Sequence, residues 1–124
     1  MAKKVTIQER GWAGHFICAQ SCRFRRNTLI TCGDTRIVVS TVGCMEDTLR
    51  GKGFAQIGLD RYYETMAFHS DPEDTRYYDA DVSREVSFDS PWAISELDAD
   101  DKANDMHDTV VNELVDKLKK GVEL

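Results

Sequence analysis

Hydrophobic and polar positions alternate with a period near two through about the first ninety residues, and near 3.6 through about the last twenty-five. Val5 and Ile7 alternate with Thr6 and Gln8 and predict a first strand. The stretch Trp12 to Ala19 is apolar on both of its faces, which predicts a second, central strand ended by Gln20-Ser21. Thr28 to Cys32 and the β-branched run Thr35 to Val42 flank Gly33-Asp34. A two-residue loop with glycine first predicts a type II′ hairpin. Gly43, Gly51, Gly53 and Gly58 lie among charged residues, so residues 43–60 read as a long mobile connection.

Arg61 to His69 predicts a further strand with Tyr62, Glu64, Met66 and Phe68 on one face. Ser70-Asp71-Pro72-Glu73-Asp74 reads as an acidic turn. After it, Tyr78, Ala80, Val82, Val86 and Phe88 are expected inward, and Asp79, Asp81, Ser83, Glu85 and Ser87 outward. Arg84 interrupts the inward set, which points to a bulge or to the sheet's rim. These two strands are expected to pair as a second hairpin. Ser90-Pro91 signals a short helical turn over Trp92 to Ile94, and Ser95-Glu96-Leu97-Asp98 resembles a capping box with Asp in place of Glu or Gln.

A helix is expected over about 98–120. Ala103, Met106, His107, Val110, Val111, Leu114, Val115 and Leu118 form one apolar stripe. Asp98, Asp100 and Asp101 at its start and Lys117, Lys119 and Lys120 at its end complement the helix dipole, and Gly121 is the expected stop. The predicted fold is a single α+β domain over residues 1–124. Five to seven antiparallel strands occupy about residues 4–89, and one C-terminal amphipathic helix lies over one face of their sheet.

Composition narrows the function classes. With 41% hydrophobic and 31% charged residues the chain is globular in type. No apolar run reaches the ~18 residues of a membrane span, and the N-terminus lacks the apolar stretch of a secretory signal. A cytoplasmic protein with no membrane contact is therefore expected. The net charge of −6 is uneven. Residues 1–53 hold nine Lys and Arg against four Asp and Glu, a net of +5, and the remainder carries −11. Two such halves attract each other within one fold or between two copies, and overall acidity disfavours a dedicated nucleic-acid binder.

Several constellations are candidates for chemistry. Cys18, Cys22, Cys32 and Cys44 cluster early, yet Cys-x3-Cys is looser than usual zinc spacing. Thiols without metal are expected, with a zinc site as the alternative. His15 and Cys18 would face opposite sides of a strand, so they are not expected to form a nucleophile pair. An enzyme would need a pocket joining His15 to a cysteine or a carboxylate such as Asp79. Arg23-Phe24-Arg25-Arg26 could hold a phosphate or stack on a base. The plainer reading pairs these arginines with acidic groups such as Asp79 and Asp81. The acidic residues Asp71, Glu73, Asp74, Asp79 and Asp81 match no calcium loop and read as a solvated surface. His69-Ser70-Asp71 holds triad residue types, but consecutive positions do not build a triad. Tyr62, Tyr63, Tyr77 and Tyr78 form two adjacent pairs, each expected to send one ring inward and one outward. Outward tyrosines on a sheet suit a protein interface.

The segments Arg10-Gly11-Trp12-Ala13-Gly14-His15-Phe16-Ile17-Cys18, Cys22-Arg23-Phe24-Arg25-Arg26-Asn27-Thr28-Leu29, Val38-Val39-Ser40-Thr41-Val42-Gly43, Tyr63-Glu64-Thr65-Met66-Ala67-Phe68 and Phe88-Asp89-Ser90-Pro91-Trp92 look like those of a group of small bacterial and prophage-encoded proteins. That resemblance implies a phage-related accessory protein. It carries no activity and transfers no functional residue. The sequence-based expectation is thus a non-enzymatic accessory protein without a cofactor, acting by binding a protein partner, a second copy included. One such action would be to block a host protein by offering it an acidic face in place of nucleic acid. The alternative is nucleotide or nucleic-acid binding through Arg23, Phe24, Arg25 and Arg26.

Overall fold

The computed structural model of the protein describes residues 4–12, 15 and 19–124. Among these, seven strands form one antiparallel sheet: β1 (Thr6–Arg10), β2 (Cys22–Cys32), β3 (Thr35–Glu46), β4 (Phe54–Ala55), β5 (Tyr63–Ser70), β6 (Ala80–Val86) and β7 (Ala93–Ile94). Helix α1 (Asp100–Lys119) follows. The sheet order is β1-β2-β3-β5-β6, with β4 on the end of β3 and β7 on β5. The fold is the α+β class that the periodicity predicts. No helix among the described residues is long and apolar enough to cross a membrane.

The hairpin at Gly33-Asp34 is as expected. Cys32 faces Thr35 across a two-residue loop, and Gly33 has φ +60°, the left-handed value that glycine supplies without steric cost. Strand β3 is the centre of the sheet, since every residue from Ile37 to Cys44 is buried. The predicted central strand at Trp12 to Ala19 is not seen where it can be described. Trp12 and His15 lie in bends, and Ala19–Ser21 form a 3-10 turn. The rest of that prediction lies outside the described residues. A segment apolar at successive positions need not be a strand. Here His15 lies against the sheet face that α1 does not cover.

The predicted loop 43–60 is also corrected. Strand β3 runs on to Glu46, and β4 folds back on it, pairing Met45 with Ala55 and Glu46 with Phe54. Gly51 and Gly53, both at positive φ, turn the chain between them. Gly43 has a different use. A β-carbon there would lie 2.1 Å from the ring of Tyr63, which packs against this backbone.

Strands β5 and β6 pair as predicted, with a large bulge. Phe68 faces Glu85 and Ser70 faces Ala80, so two steps along β5 match five along β6. The three extra residues move the β6 side chains out of alternation. Val82, expected inward, is 64% exposed, whereas Val86 is buried. The predicted helical turn at Trp92 to Ile94 is instead β7, which pairs Ile94 with Tyr63 and Ala93 with Glu64.

All eight residues of the predicted helix stripe are buried. Val110, Val111, Leu114, Val115 and Leu118 pack on Ile30, Ile37, Val39, Ala67 and Val86. Each such side chain contributes about 1.5–3 kcal/mol relative to exposure. The helix start is not held by the predicted capping box. Ala99 is the N-cap residue and has no side-chain cap. Its backbone N–H donates instead to the Tyr63 hydroxyl at 3.0 Å, and that hydroxyl donates to Asp100 Oδ1 at 2.7 Å. Strand β5 thus caps the helix. Gly121, at φ +80°, ends it as expected.

Candidate functional site

Polar side chains are buried on both faces of the sheet, and the two sets differ. On the helix side, His107 is fully buried. Its Nε2 lies 2.7 Å from Thr28 Oγ1 and its Nδ1 2.7 Å from Thr41 Oγ1. Thr41 also meets Thr65 at 2.6 Å, and Thr28 donates to Glu9 Oε2 at 2.8 Å.

The proton positions in this chain follow from counting donors. A carboxylate only accepts, so the single hydroxyl proton of Thr28 goes to Glu9. Thr28 must then accept from His107 Nε2–H. The Nδ1 of the neutral ring accepts from Thr41, and Thr41 accepts from Thr65. Burial first, and then the nearby Arg26, push His107 down to about 4, which keeps the ring neutral near pH 7. Burial opposes ionisation of Glu9, but hydrogen bonds from Arg26 and Thr28 outweigh it and hold the carboxyl below its usual range. Arg26 grips Glu9 through two bonds of 3.0 Å and reaches Asp108 on α1 at 2.9 Å. This chain ties β1, β2, β3 and β5 to the helix. Its inner end, at Thr65, is buried, and its outer end, at Glu9, is at the surface.

On the opposite face, Arg10, Asn27, His15, Ser40 and Glu64 are buried. Arg10 donates to Asn27 Oδ1 at 3.0 Å and to the Tyr77 carbonyl. His15 Nδ1 meets Ser40 Oγ at 2.7 Å, while its Nε2 stands 3.4 Å from Glu64, long for a hydrogen bond. Arg61 closes on the other oxygen of Glu64 at 2.9 Å. Burial raises the Glu64 carboxyl, and His15 and Arg61 more than offset it, leaving it lowered. Ser, His and Glu thus stand in a row, as in hydrolytic triads. Ser40, however, has no exposed surface, so no substrate can reach it.

The residues singled out from the sequence are separated by the fold. Among the arginines, Arg23 pairs with Glu46 at 3.1 Å and lies over Phe54, and Arg26 belongs to the Glu9 cluster. Asp79 and Asp81, the partners expected for them, bond instead to Trp12 and Ser83. Phe24 is buried edge-on against Tyr63, and Arg25 is exposed. Of the tyrosines, Tyr63 is fully buried, Tyr62 and Tyr78 are half-buried, and Tyr77 is 51% exposed. Tyr77 and Tyr78 stand in the turn before β6 rather than in a strand. Cys22, Cys32 and Cys44 are buried thiols, Cys44 beside the Tyr63 hydroxyl. Cys18 lies outside the described residues. Among the described residues no group of His, Cys, Asp and Glu is placed to hold a metal ion.

One surface cluster was not anticipated. Trp12, 38% exposed, meets Tyr77 edge-to-face with centroids 6.3 Å apart. Arg10 lies 4.6 Å over the Trp12 ring, and Arg76 4.9 Å over Tyr77. The indole N–H donates to Asp79 at 3.2 Å. The signal in the sequence was weak, since Trp12 and Tyr77 are 65 residues apart and both read as strand positions. No protein-family model, curated protein or solved structure matches the chain.

Proposed function

We propose that this chain is a non-enzymatic, cytoplasmic accessory protein that binds another protein through the Trp12–Tyr77 patch. The observation that carries the reading is the exposure of these two rings in a held orientation. Trp, Tyr and Arg are the residue types that dominate binding energy at protein interfaces, and rings already fixed by Asp79, Arg10 and Arg76 lose little freedom on binding. The buried placement of His107, His15 and Ser40 supports a role without catalysis. The turn around Tyr77 carries Asp71, Glu73, Asp74 and Asp79, which favours a protein over a nucleic acid as partner. The likeness to prophage-encoded proteins supports an accessory role directed at a host protein, and the opposite charges of the two halves suit a homodimer as one form of it.

The test compares wild type with Trp12→Ala/Tyr77→Ala by light scattering on a sizing column and by quantitative capture from host extract. A partner, either a second copy or one host protein in stoichiometric amount, is expected to bind about tenfold or more weakly to the variant. A wild-type protein that stays monomeric and retains the same proteins as the variant would sink the reading.

A further inference from the structure

The fold brings together the arginine that breaks the alternation of β6, Arg84, and the run His69-Ser70-Asp71. A cleft of 520 Å³ lies at one end of the sheet, between the β2–β3 turn, the end of β5, the turn after it and the β6 bulge. Arg36 and Arg84 line it, with Tyr78, Ser70, Asp34 and Asp71. The three extra residues of β6 carry Arg84 back over Ser70, whose carbonyl it reaches at 3.5 Å. Bulges beside functional sites re-aim a side chain in this way.

Arg36 is held from below. Its guanidinium lies 4.2 Å over the ring of Tyr78. Tyr78 itself sits at φ +50°, a conformation uncommon for a bulky residue. Such outliers persist where the surroundings impose them, and they concentrate at ligand sites.

The other arginines divide. Arg23, Arg26, Arg50 and Arg61 each have a carboxylate within 3.1 Å, while Arg10, Arg25 and Arg76 have no such ion pair among the described residues. Among the described residues Arg36 and Arg84 have no carboxylate at ion-pair distance, although Asp34 and Asp71 line the same cleft. Asp71 is turned to the backbone N–H of Glu73 at 2.9 Å. His69, on the same wall, is held by the main-chain oxygen of Leu124 at 2.8 Å.

We infer that this cleft binds a small phosphate-bearing molecule between Arg36 and Arg84. A guanidinium offers a planar fork of donors that fits two oxygens of a phosphate. Asp34 and Asp71 lower the affinity at neutral pH and favour a ligand whose charge is compact. The cleft does not include the Trp12 and Tyr77 rings, but it shares their turn, since Tyr78 lines it and follows Tyr77.

The experiment follows backbone amide shifts of the full chain during titration with inorganic phosphate and, separately, with a nucleoside 5′-monophosphate. Sodium chloride at matched ionic strength is the control. Saturable shifts are expected at residues 34–36, 69–71 and 84. In Arg36→Gln and Arg84→Gln the binding is expected to weaken about tenfold, with unchanged spectra elsewhere showing that both variants fold. Arg84→Lys keeps the charge but loses the fork, and is expected to fall between wild type and Arg84→Gln. Tighter binding of the nucleotide than of phosphate assigns the ligand to that class, and equal binding assigns the site to the phosphate group alone. Shifts that grow linearly, match those from chloride, or persist unchanged in both glutamine variants would overturn the inference.

Discussion

The two faces of the sheet bury similar amounts of polar chemistry and treat it in opposite ways. Under the helix, His107, Thr28, Thr41, Thr65 and Glu9 form one chain in which each hydroxyl proton and each ring nitrogen has a partner. On the other face, Arg10 Nη2, His15 Nε2 and Asn27 Nδ2 are buried without a hydrogen-bond partner among the described residues. The first arrangement is what a structural network needs, because a satisfied buried polar group costs little and an orphaned one costs about 1–3 kcal/mol. The second leaves these three atoms without a hydrogen bond among the described residues, although His15 Nε2 stands 3.4 Å from Glu64. It is also the face whose arginine, Arg10, reaches out to Trp12 and to the Tyr77 carbonyl.

Three measurements press on this contrast. The largest effect is expected from His107→Ala. It removes a fully buried ring and strands the hydroxyls of Thr28 and Thr41, so urea denaturation is expected to show a loss of about 3–5 kcal/mol. A loss under about 1 kcal/mol would mean the network is not holding the helix.

Next comes pH. The unfolded chain takes up the His107 proton near 6.5, and the folded chain only at about 4. Stability from this group is therefore complete above pH 6.5. It falls as pH drops through that window and levels off below it. The full loss is about 3 kcal/mol. His107→Gln is expected to flatten the slope from pH 6.5 down to about 5, above the range near 4.5 where the unfolded chain protonates Glu9 and Glu64, whose carboxyls the fold holds lower. An identical slope in the variant would remove His107 as its cause.

The smallest effect is expected on the other face. Ser40→Ala removes the 2.7 Å contact to His15, a group already short of partners, and is expected to cost about 1 kcal/mol. A cost equal to that of His107→Ala would erase the distinction between the faces.

The sequence was most informative where one physical preference acts alone. The α1 stripe needs only a 3.6-residue period, and all eight positions are buried. The Gly33 turn needs only a residue that tolerates positive φ. Legibility fails where distant parts decide. Val82 obeys the alternation in sequence, but the bulge opposite Ser70 turns it to water. Residues 43–60 carry enough glycine to suggest a mobile loop, yet two of those glycines serve the turn that lets β4 pair with β3. His107 was visible as a member of the helix stripe. Its partners come from Thr28 and Thr41, more than sixty residues away, and no local pattern announces them. The surface sites follow the same rule. Arg84 was legible as an interruption, whereas its meeting with Arg36 across a cleft depends on the whole sheet.

The position of His107 has a consequence for how the chain chooses one structure. A purely greasy helix could slide along this sheet by a turn and bury nearly as much surface. Such a slip would set Ala103 or Val111 against Thr28 and Thr41, neither able to exchange protons with them. One imidazole thereby acts as an index mark, penalising the near-miss dockings that Val and Leu alone would tolerate.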